Sequence, residues 1–309
     1  QSAARESRTS LNAYDDGDRL IATIANWDSV LDWENCSFAA GPREANVCTL
    51  YGYDDAGRTI STTNALGQTN LTFYDNAGRT FLSVTNWDGS SYNAANPLPD
   101  LCNFSNPDPE FNLCRQTEYD AFGRVYTTTN TLGHQNVNEY DSLGRVSRTV
   151  TNWQDGVFNA NDPDGDIETL YEYDANGNVL VVTDTVGRMT RTFYDALNRV
   201  QGTITNWDGS TSLAGCSSLP TMRDSNICTQ YEYDEVGNTI IVTDTVGRMT
   251  HTFYDELNRV EATVVNWQPS LTSPDNCVLS AINDALENIC TLYGYDNVGN
   301  QITTTNALN

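Results

Sequence analysis

Eight cysteines are the most regularly spaced reactive side chains in this sequence. They fall into four local pairs at separations of 12, 12, 12 and 13 residues: Cys36 and Cys48, Cys102 and Cys114, Cys216 and Cys228, and Cys277 and Cys290. A metal site would need Cys-x-x-Cys spacing or histidines beside the cysteines, and neither accompanies these pairs. The repetition therefore predicts four local disulfides, each of which should stabilise the fold by about 3 kcal/mol by closing a short loop. Disulfides in turn indicate an oxidising extracellular or cell-surface environment.

An acidic segment between Trp153 and Tyr173 could bind a hard cation. Asp162, Asp164 and Asp166 alternate around Gly165, and carboxylate oxygens are the ligands that calcium prefers. This stretch has no cysteine pair, so a structural calcium ion could replace the missing disulfide. The register differs from that of an EF-hand loop, and a solvated acidic loop is the alternative. No other cofactor is expected.

The remaining composition argues against an enzyme. The chain has two histidines, His134 and His251, and no lysine, which leaves few acid–base groups and nucleophiles. A hydrolase that uses carboxylates alone stays open, without further support. The net charge of −25 opposes binding to nucleic acid, and no apolar run is long enough to span a membrane.

The elements that position these residues are internal repeats. The dipeptide Tyr-Asp recurs, and spacings of 21 residues alternate with spacings of 33 to 45. This pattern indicates paired modules with an insert loop of variable length. The tyrosines are Tyr14, Tyr53, Tyr74, Tyr119, Tyr140, Tyr173, Tyr194, Tyr233, Tyr254 and Tyr295.

A five-residue turn recurs fifteen times within the modules. Its first residue is always Asp or Asn, and its fourth is Gly in eleven copies and Asn or Asp in the rest. These residues tolerate positive φ best, so the pattern predicts a type I turn closed by a left-handed residue in a bulge. The turns start at residues 15, 54, 64, 75, 120, 130, 141, 174, 184, 195, 234, 244, 255, 296 and 306.

Segments between the turns alternate as half-buried strands do, for example Val260, Ala262 and Val264 on one face. The strand before each insert ends in Asn-Trp, at Trp27, Trp87, Trp153, Trp207 and Trp267. Four strands in each of five modules predict an all-β tandem antiparallel hairpin array of about twenty short strands.

The motif Tyr-Asp-x-x-Gly-Arg, as in residues 74–79 and 140–145, resembles the YD repeat of the RHS family, and the resemblance covers nearly the whole chain. It implies long, spiralling antiparallel sheets. Members of that family include shells around bacterial toxins, cell-wall-associated proteins and animal adhesion receptors. The resemblance therefore indicates the fold but not the use to which it is put.

Glycans are further candidate partners, covalent or bound. Sequons at Asn35, Asn70 and Asn103 predict N-glycosylation, although about six would be expected by chance in a sequence of this composition. A regular row of exposed tryptophans could bind carbohydrate, which would make the chain an adhesin. The alternative is that the aromatic rings cap the sheet core.

The two ends of the array are complementary in sequence. Residues 1–7 form a tail, and residues 8–309 form one continuous array of five two-repeat modules. Placing Arg8 to Asp15 after Asn309 restores the 21-residue spacing from Tyr295, so a second copy could complete the last module. The predicted contact residues are Arg8, Thr9, Ser10, Leu11, Tyr14, Ile302, Thr304 and Leu308.

These observations lead to a structural subunit of an extracellular fibre that polymerises with itself, head to tail, by strand addition. A carbohydrate-binding adhesin and a fragment of a toxin-enclosing RHS-type shell are the alternatives.

Overall fold

The computed structural model describes residues 9–27, 34, 46–105, 107–153, 165–218, 224–276 and 287–306. Twenty antiparallel strands form the sheet, and this agrees with the all-β fold predicted from the repeats. The strands are β1 (Ser10–Tyr14), β2 (Leu20–Ala25), β3 (Val47–Tyr53), β4 (Thr59–Thr63), β5 (Thr69–Tyr74), β6 (Thr80–Trp87), β7 (Leu113–Tyr119), β8 (Val125–Thr129), β9 (Gln135–Tyr140), β10 (Val146–Trp153), β11 (Ile167–Tyr173), β12 (Val179–Asp184), β13 (Met189–Tyr194), β14 (Val200–Thr205), β15 (Ile227–Tyr233), β16 (Thr239–Thr243), β17 (Met249–Tyr254), β18 (Val260–Val265), β19 (Ile289–Tyr295) and β20 (Gln301–Asn306).

The chain divides into two compact units. One comprises Gln1–Arg145 with Thr149–Ile167, and the other Val146–Arg148 with Glu168–Asn309. In the first unit, each strand from β1 to β9 pairs with the next one along the chain. In the second unit, the same holds from β11 to β20.

The core lies on the sheet face that the insert loops cover. In the first unit, Leu82 and Val84 of β6 are fully buried and pack with Leu71 and with Leu101 of the insert loop. In the second unit, Ile204 and Val264 take the same place in two separate clusters. The alternation of apolar and polar residues therefore identified the buried face correctly.

The insert loops contain short helices that the repeat pattern does not predict. Among the described residues they include α1 (Leu98–Leu101) and the 3-10 helices Leu213–Ser218 and Pro274–Asn276. Leu101 and Leu213 bring apolar side chains onto the sheet, so the loops act as lids over the core. Within the described residues, no helix has the length and hydropathy that crossing a membrane requires.

Candidate functional site

Each turn after a Tyr-Asp dipeptide is built around the carboxylate of its Asp. Asp54 Oδ1 accepts hydrogen bonds from the N–H groups of Ala56 and Arg58, at 3.0 and 2.8 Å. Asp54 Oδ2 accepts a third from Arg58 Nε at 2.7 Å. The Gly57 N–H donates to the Asp54 carbonyl oxygen, and φ of 79° at Gly57 is the left-handed conformation that the sequence predicted.

These contacts set the electrostatics of the turns. Backbone N–H donors hold the pKa of the Asp54, Asp75, Asp141, Asp195 and Asp255 carboxyls below its ordinary value, with the arginine side chain contributing and burial opposing. The carboxylates are therefore ionised and fully engaged, which is the opposite of what a general acid requires.

Neighbouring hairpins are joined by a contact that we call the hairpin latch. In it, the arginine at the fifth turn position stacks on the tyrosine of the next Tyr-Asp hairpin, and that tyrosine donates its hydroxyl proton back to the preceding hairpin. Arg58 Cζ lies 4.5 Å from the centroid of the Tyr74 ring, and the Tyr74 hydroxyl donates to the Thr59 carbonyl oxygen at 2.9 Å. The latch thus combines a cation–π contact with a partly buried hydrogen bond from the tyrosine hydroxyl.

The latch recurs within each unit. In the first unit it joins Arg19 to Tyr53, Arg58 to Tyr74, Arg79 to Tyr119 and Arg124 to Tyr140. In the second it joins Arg199 to Tyr233 and Arg259 to Tyr295. The Tyr-Asp-x-x-Gly-Arg motif places an arginine at the end of the turn but does not reveal its stacking partner, because the two residues become neighbours only once the strand order is known.

Two of the predicted disulfides each join an insert loop to the strand that follows it. Cys102 is bonded to Cys114, and Cys216 to Cys228, with Cα–Cα distances of 5.8 and 5.9 Å. Cys48 and Cys290 are also disulfide-bonded, whereas Cys36 and Cys277 lie outside the described residues. The first two bonds fix their insert loops to β7 and β15.

The tryptophans before the inserts are half-buried against these lids. The indole N–H groups of Trp87, Trp207 and Trp267 donate to loop carbonyl oxygens of Ser90, Thr211 and Leu271, at 3.1, 2.8 and 2.7 Å. Their rings pack in the clusters around the core. This arrangement favours caps of the core over a carbohydrate-binding row.

The calcium and glycan predictions fall largely outside the described residues, which exclude Asp162, Asp164 and Asn35. Asp166 is buried, with φ of 46° and an N–H that donates to the Asn152 carbonyl oxygen at 3.4 Å. The described part of the chain holds no cluster of three or more His, Cys, Asp or Glu side chains suited to a metal. Asn70 and Asn103 are exposed. Calcium and N-glycans stay predictions.

The predicted assembly residues lie on two strands that each pair with one neighbour among the described residues. β1 pairs with β2, and β20 pairs with β19. Ser10, Tyr14, Ile302 and Thr304 are exposed, and Leu11 is half-buried. Thr9 precedes β1, whereas Arg8 and Leu308 lie outside the described residues.

A comparison with known protein families agrees with this repeat architecture. The sequence model of the RHS Repeat family matches residues 53–91 and 173–211. A search of curated proteins gives no match. Among solved structures, the chain is similar to TcdB2-TccC3-Cdc42, with 18% identity and a TM-score of 0.48, over 97% of this chain and 14% of that one.

It is also similar to the Tc holotoxin pore of Photorhabdus luminescens, with 18% identity and a TM-score of 0.47, over 96% of this chain and 14% of that one. The chain thus spans about 14% of the length of these solved chains. The two matched stretches each begin at the tyrosine of a Tyr-Asp hairpin. Residues 53–91 and 173–211 therefore match the RHS repeat, as the YD motifs predicted.

Proposed function

We propose that this chain is a structural protein without catalytic activity, a length of RHS sheet that further YD hairpins extend at its strand edges. The hairpin latch carries the proposal. It engages in structural contacts the Asp, Arg and Tyr side chains that a catalytic site would otherwise use. Each hairpin also presents the same contact residues to the next hairpin. The disulfides support an extracellular or cell-surface location.

One source of the further hairpins is the same polypeptide, as in a toxin-enclosing RHS-type shell. The match of the RHS Repeat model at two separate places supports this form of the proposal. In such a shell, the acidic insert loops and Asp-rich turns would lie in solvent, and the net charge of −25 would keep a long sheet from aggregating.

The second source is another copy of the chain, which would give a head-to-tail fibre. The specific observation that favours it is the edge of β20, where Ile302 is 63% exposed and no Pro, Lys or covering loop blunts the strand within the described residues. A strand of suitable length, β1, pairs with one neighbour, β2, among the described residues. A heterologous contact of this kind propagates without closing.

The mass of the polypeptide, measured on protein isolated from its natural source, distinguishes the shell from the fibre. Denaturing, reducing electrophoresis followed by mass spectrometry measures this mass. The fibre predicts a polypeptide near 34.1 kDa. The shell predicts a much longer polypeptide that contains these residues. A catalytic turnover that depends on the turn carboxylates would contradict both, because the account assigns those groups to structure.

A further inference from the structure

Neighbouring Tyr-Asp turns meet through the fifth residue of one turn and the fourth residue of the next, and these two positions occur in two matched versions. Where the fifth residue is Arg, the next turn has Gly at its fourth position. Within the two units these pairs are Arg19 and Gly57, Arg58 and Gly78, Arg79 and Gly123, Arg124 and Gly144, Arg199 and Gly237, and Arg259 and Gly299.

The arginine version favours glycine for two physical reasons. A Cβ at Gly123 would lie 3.0 Å from Arg79 Nη1, and a Cβ at Gly144 would lie 3.2 Å from Arg124 Nη1, because the guanidinium occupies that space in the latch. At Gly237 and Gly299 the space is open, but φ is 101° and 93°, a conformation that strains any residue with a side chain.

Where the fifth residue is Asn, the fourth residue of the next turn is also Asn. Asn178 Nδ2 donates to Asp174 Oδ2 in its own turn at 2.8 Å and to Asn198 Oδ1 in the next at 2.9 Å. A primary amide has two N–H donors, so one group can serve both turns.

The second copy of this arrangement is the same. Asn238 donates to Asp234 Oδ2 at 2.8 Å and to Asn258 Oδ1 at 3.1 Å. Asn198 and Asn258 both have φ of 59°, the left-handed conformation that Asn and Asp tolerate.

Two turn residues belong to the amide version but meet no counterpart among the described residues. Asn300, at the fifth position of the β19–β20 turn, donates to Asp296 Oδ2 at 2.8 Å. Asp18, at the fourth position of the β1–β2 turn, has φ of 58°, like Asn198 and Asn258. One residue offers a second amide N–H to a following hairpin, and the other offers a carboxylate oxygen to a preceding one.

We propose that Asn300 and Asp18 are the two halves of one such pair, so that the edge of β20 binds the β1–β2 hairpin of a second copy of this chain. Asn300 Nδ2 donates to an Asp18 carboxylate oxygen, and this hydrogen bond is charge-assisted and stronger than its internal counterparts. This inference rests on the fibre form of the proposed function.

The internal β16–β17 pairing defines the register of the joint. Ile241 pairs with His251 there, and by position Thr303 pairs with Leu11 across the joint. The Tyr254 hydroxyl donates to the Thr239 carbonyl oxygen, so the Tyr14 hydroxyl donates to that of Gln301. The exposure of Tyr14, at 56%, fits a ring that lacks this neighbour, because the YD tyrosines of the later hairpins are half-buried.

The test is assembly of the purified 309-residue chain, followed by sedimentation and electron microscopy. Asp18→Gly should raise the critical concentration about tenfold, because one charge-assisted hydrogen bond is lost. Asp18→Asn should raise the critical concentration by less than Asp18→Gly, because the amide oxygen still accepts the hydrogen bond but without the charge. Asp16→Asn, in the same turn, is the control for loss of one negative charge and should assemble like wild type.

The double variant Asp18→Gly with Asn300→Arg should restore assembly, because it converts the joint to the arginine version and lets the new guanidinium stack on Tyr14. Equal critical concentrations for wild type and Asp18→Gly would overturn the pairing while leaving the fibre intact. Wild-type chains that stay monomeric at every concentration would overturn the fibre and the joint together.

A cycle inside one chain tests the pairing rule without assembly. Asn238→Arg alone and Asn258→Gly alone should each lower the unfolding midpoint, whereas the double variant should recover it by forming a new latch with Tyr254. Additive losses in the double variant would show that the two positions act independently and would overturn the rule.

Discussion

Arg79 Cζ lies 4.2 Å from the ring centroid of Tyr119, although an insert loop with its own disulfide separates the two residues in sequence. The Tyr119 hydroxyl donates to the Thr80 carbonyl oxygen at 2.8 Å, so the contact runs in both directions between the hairpins. The loop can therefore vary in length without changing the sheet, because the β6–β7 strand pairing and the latch, rather than the loop, fix how successive modules pack.

The latch predicts measurable coupling between Arg79 and Tyr119. In a double-mutant cycle with Arg79→Ala and Tyr119→Leu, the coupling free energy of unfolding should be about 0.5–1 kcal/mol, because the stacked guanidinium is partly exposed. Arg188→Ala is the matched control for the arginine. Arg188 has the same ion pair, with Asp184, and no aromatic ring stacks on it in the described structure. Coupling of zero would mean that the stacking is incidental.

His251 predicts a pH dependence of stability near neutrality. Its ring centroid lies 4.1 Å from that of Phe253 and 4.7 Å from that of Trp267, and burial lowers the pKa of its imidazole. The unfolded chain then binds the proton more tightly, so stability falls as pH decreases through about 6.5. His251→Leu should remove this slope between pH 8 and 5 in urea unfolding, since Leu71 occupies the corresponding position in another module.

His134→Leu is the control for that experiment. His134 lies in a turn at the sheet edge opposite the Tyr-Asp turns, and the slope should persist in this variant. A slope that survives His251→Leu and disappears in His134→Leu would contradict the assignment.

The turn carboxylates predict a second loss of stability in acid. Hydrogen bonds lower the pKa of Asp54, Asp75 and their counterparts in the folded chain, so their contribution is complete above the unfolded value of about 3.9 and is lost as pH falls below it. Thermal unfolding midpoints should therefore fall steeply below about pH 4. Asp75→Asn should reduce that acid slope, whereas Asp55→Asn, at the second turn position, should leave it unchanged.

The disulfides predict local and separable stabilisation. Replacing Cys216 and Cys228 together by serine should cost about 3 kcal/mol. Faster amide exchange should be confined to the cluster around Ile204, because the clusters around Leu82 and Val264 are separate. Peptide mapping without reduction should recover the 102–114 and 216–228 linkages, and pairing between different inserts would contradict the account.

Much of the fold was predictable because local residues specify the conformation of each turn. An Asp or Asn at the first position and Gly57 or its equivalents at the fourth specify a hairpin without reference to distant residues. The latch was not predictable in the same way, since Tyr119 finds Arg79 only through the strand order. The packing of the insert loops on the core through Leu101 and Leu213 was also not predicted, because irregular loops have no periodic sequence pattern.

Hydrogen exchange at the edge of β20 tests most directly whether further YD hairpins extend this sheet. In native material, the amides of β20 that face away from β19 should be protected, because a neighbouring hairpin would accept their hydrogen bonds. In the isolated 309-residue chain under dilute conditions, the same amides should exchange rapidly. Fast exchange at these amides in native material would contradict the account, because the edge would then have no strand beside it.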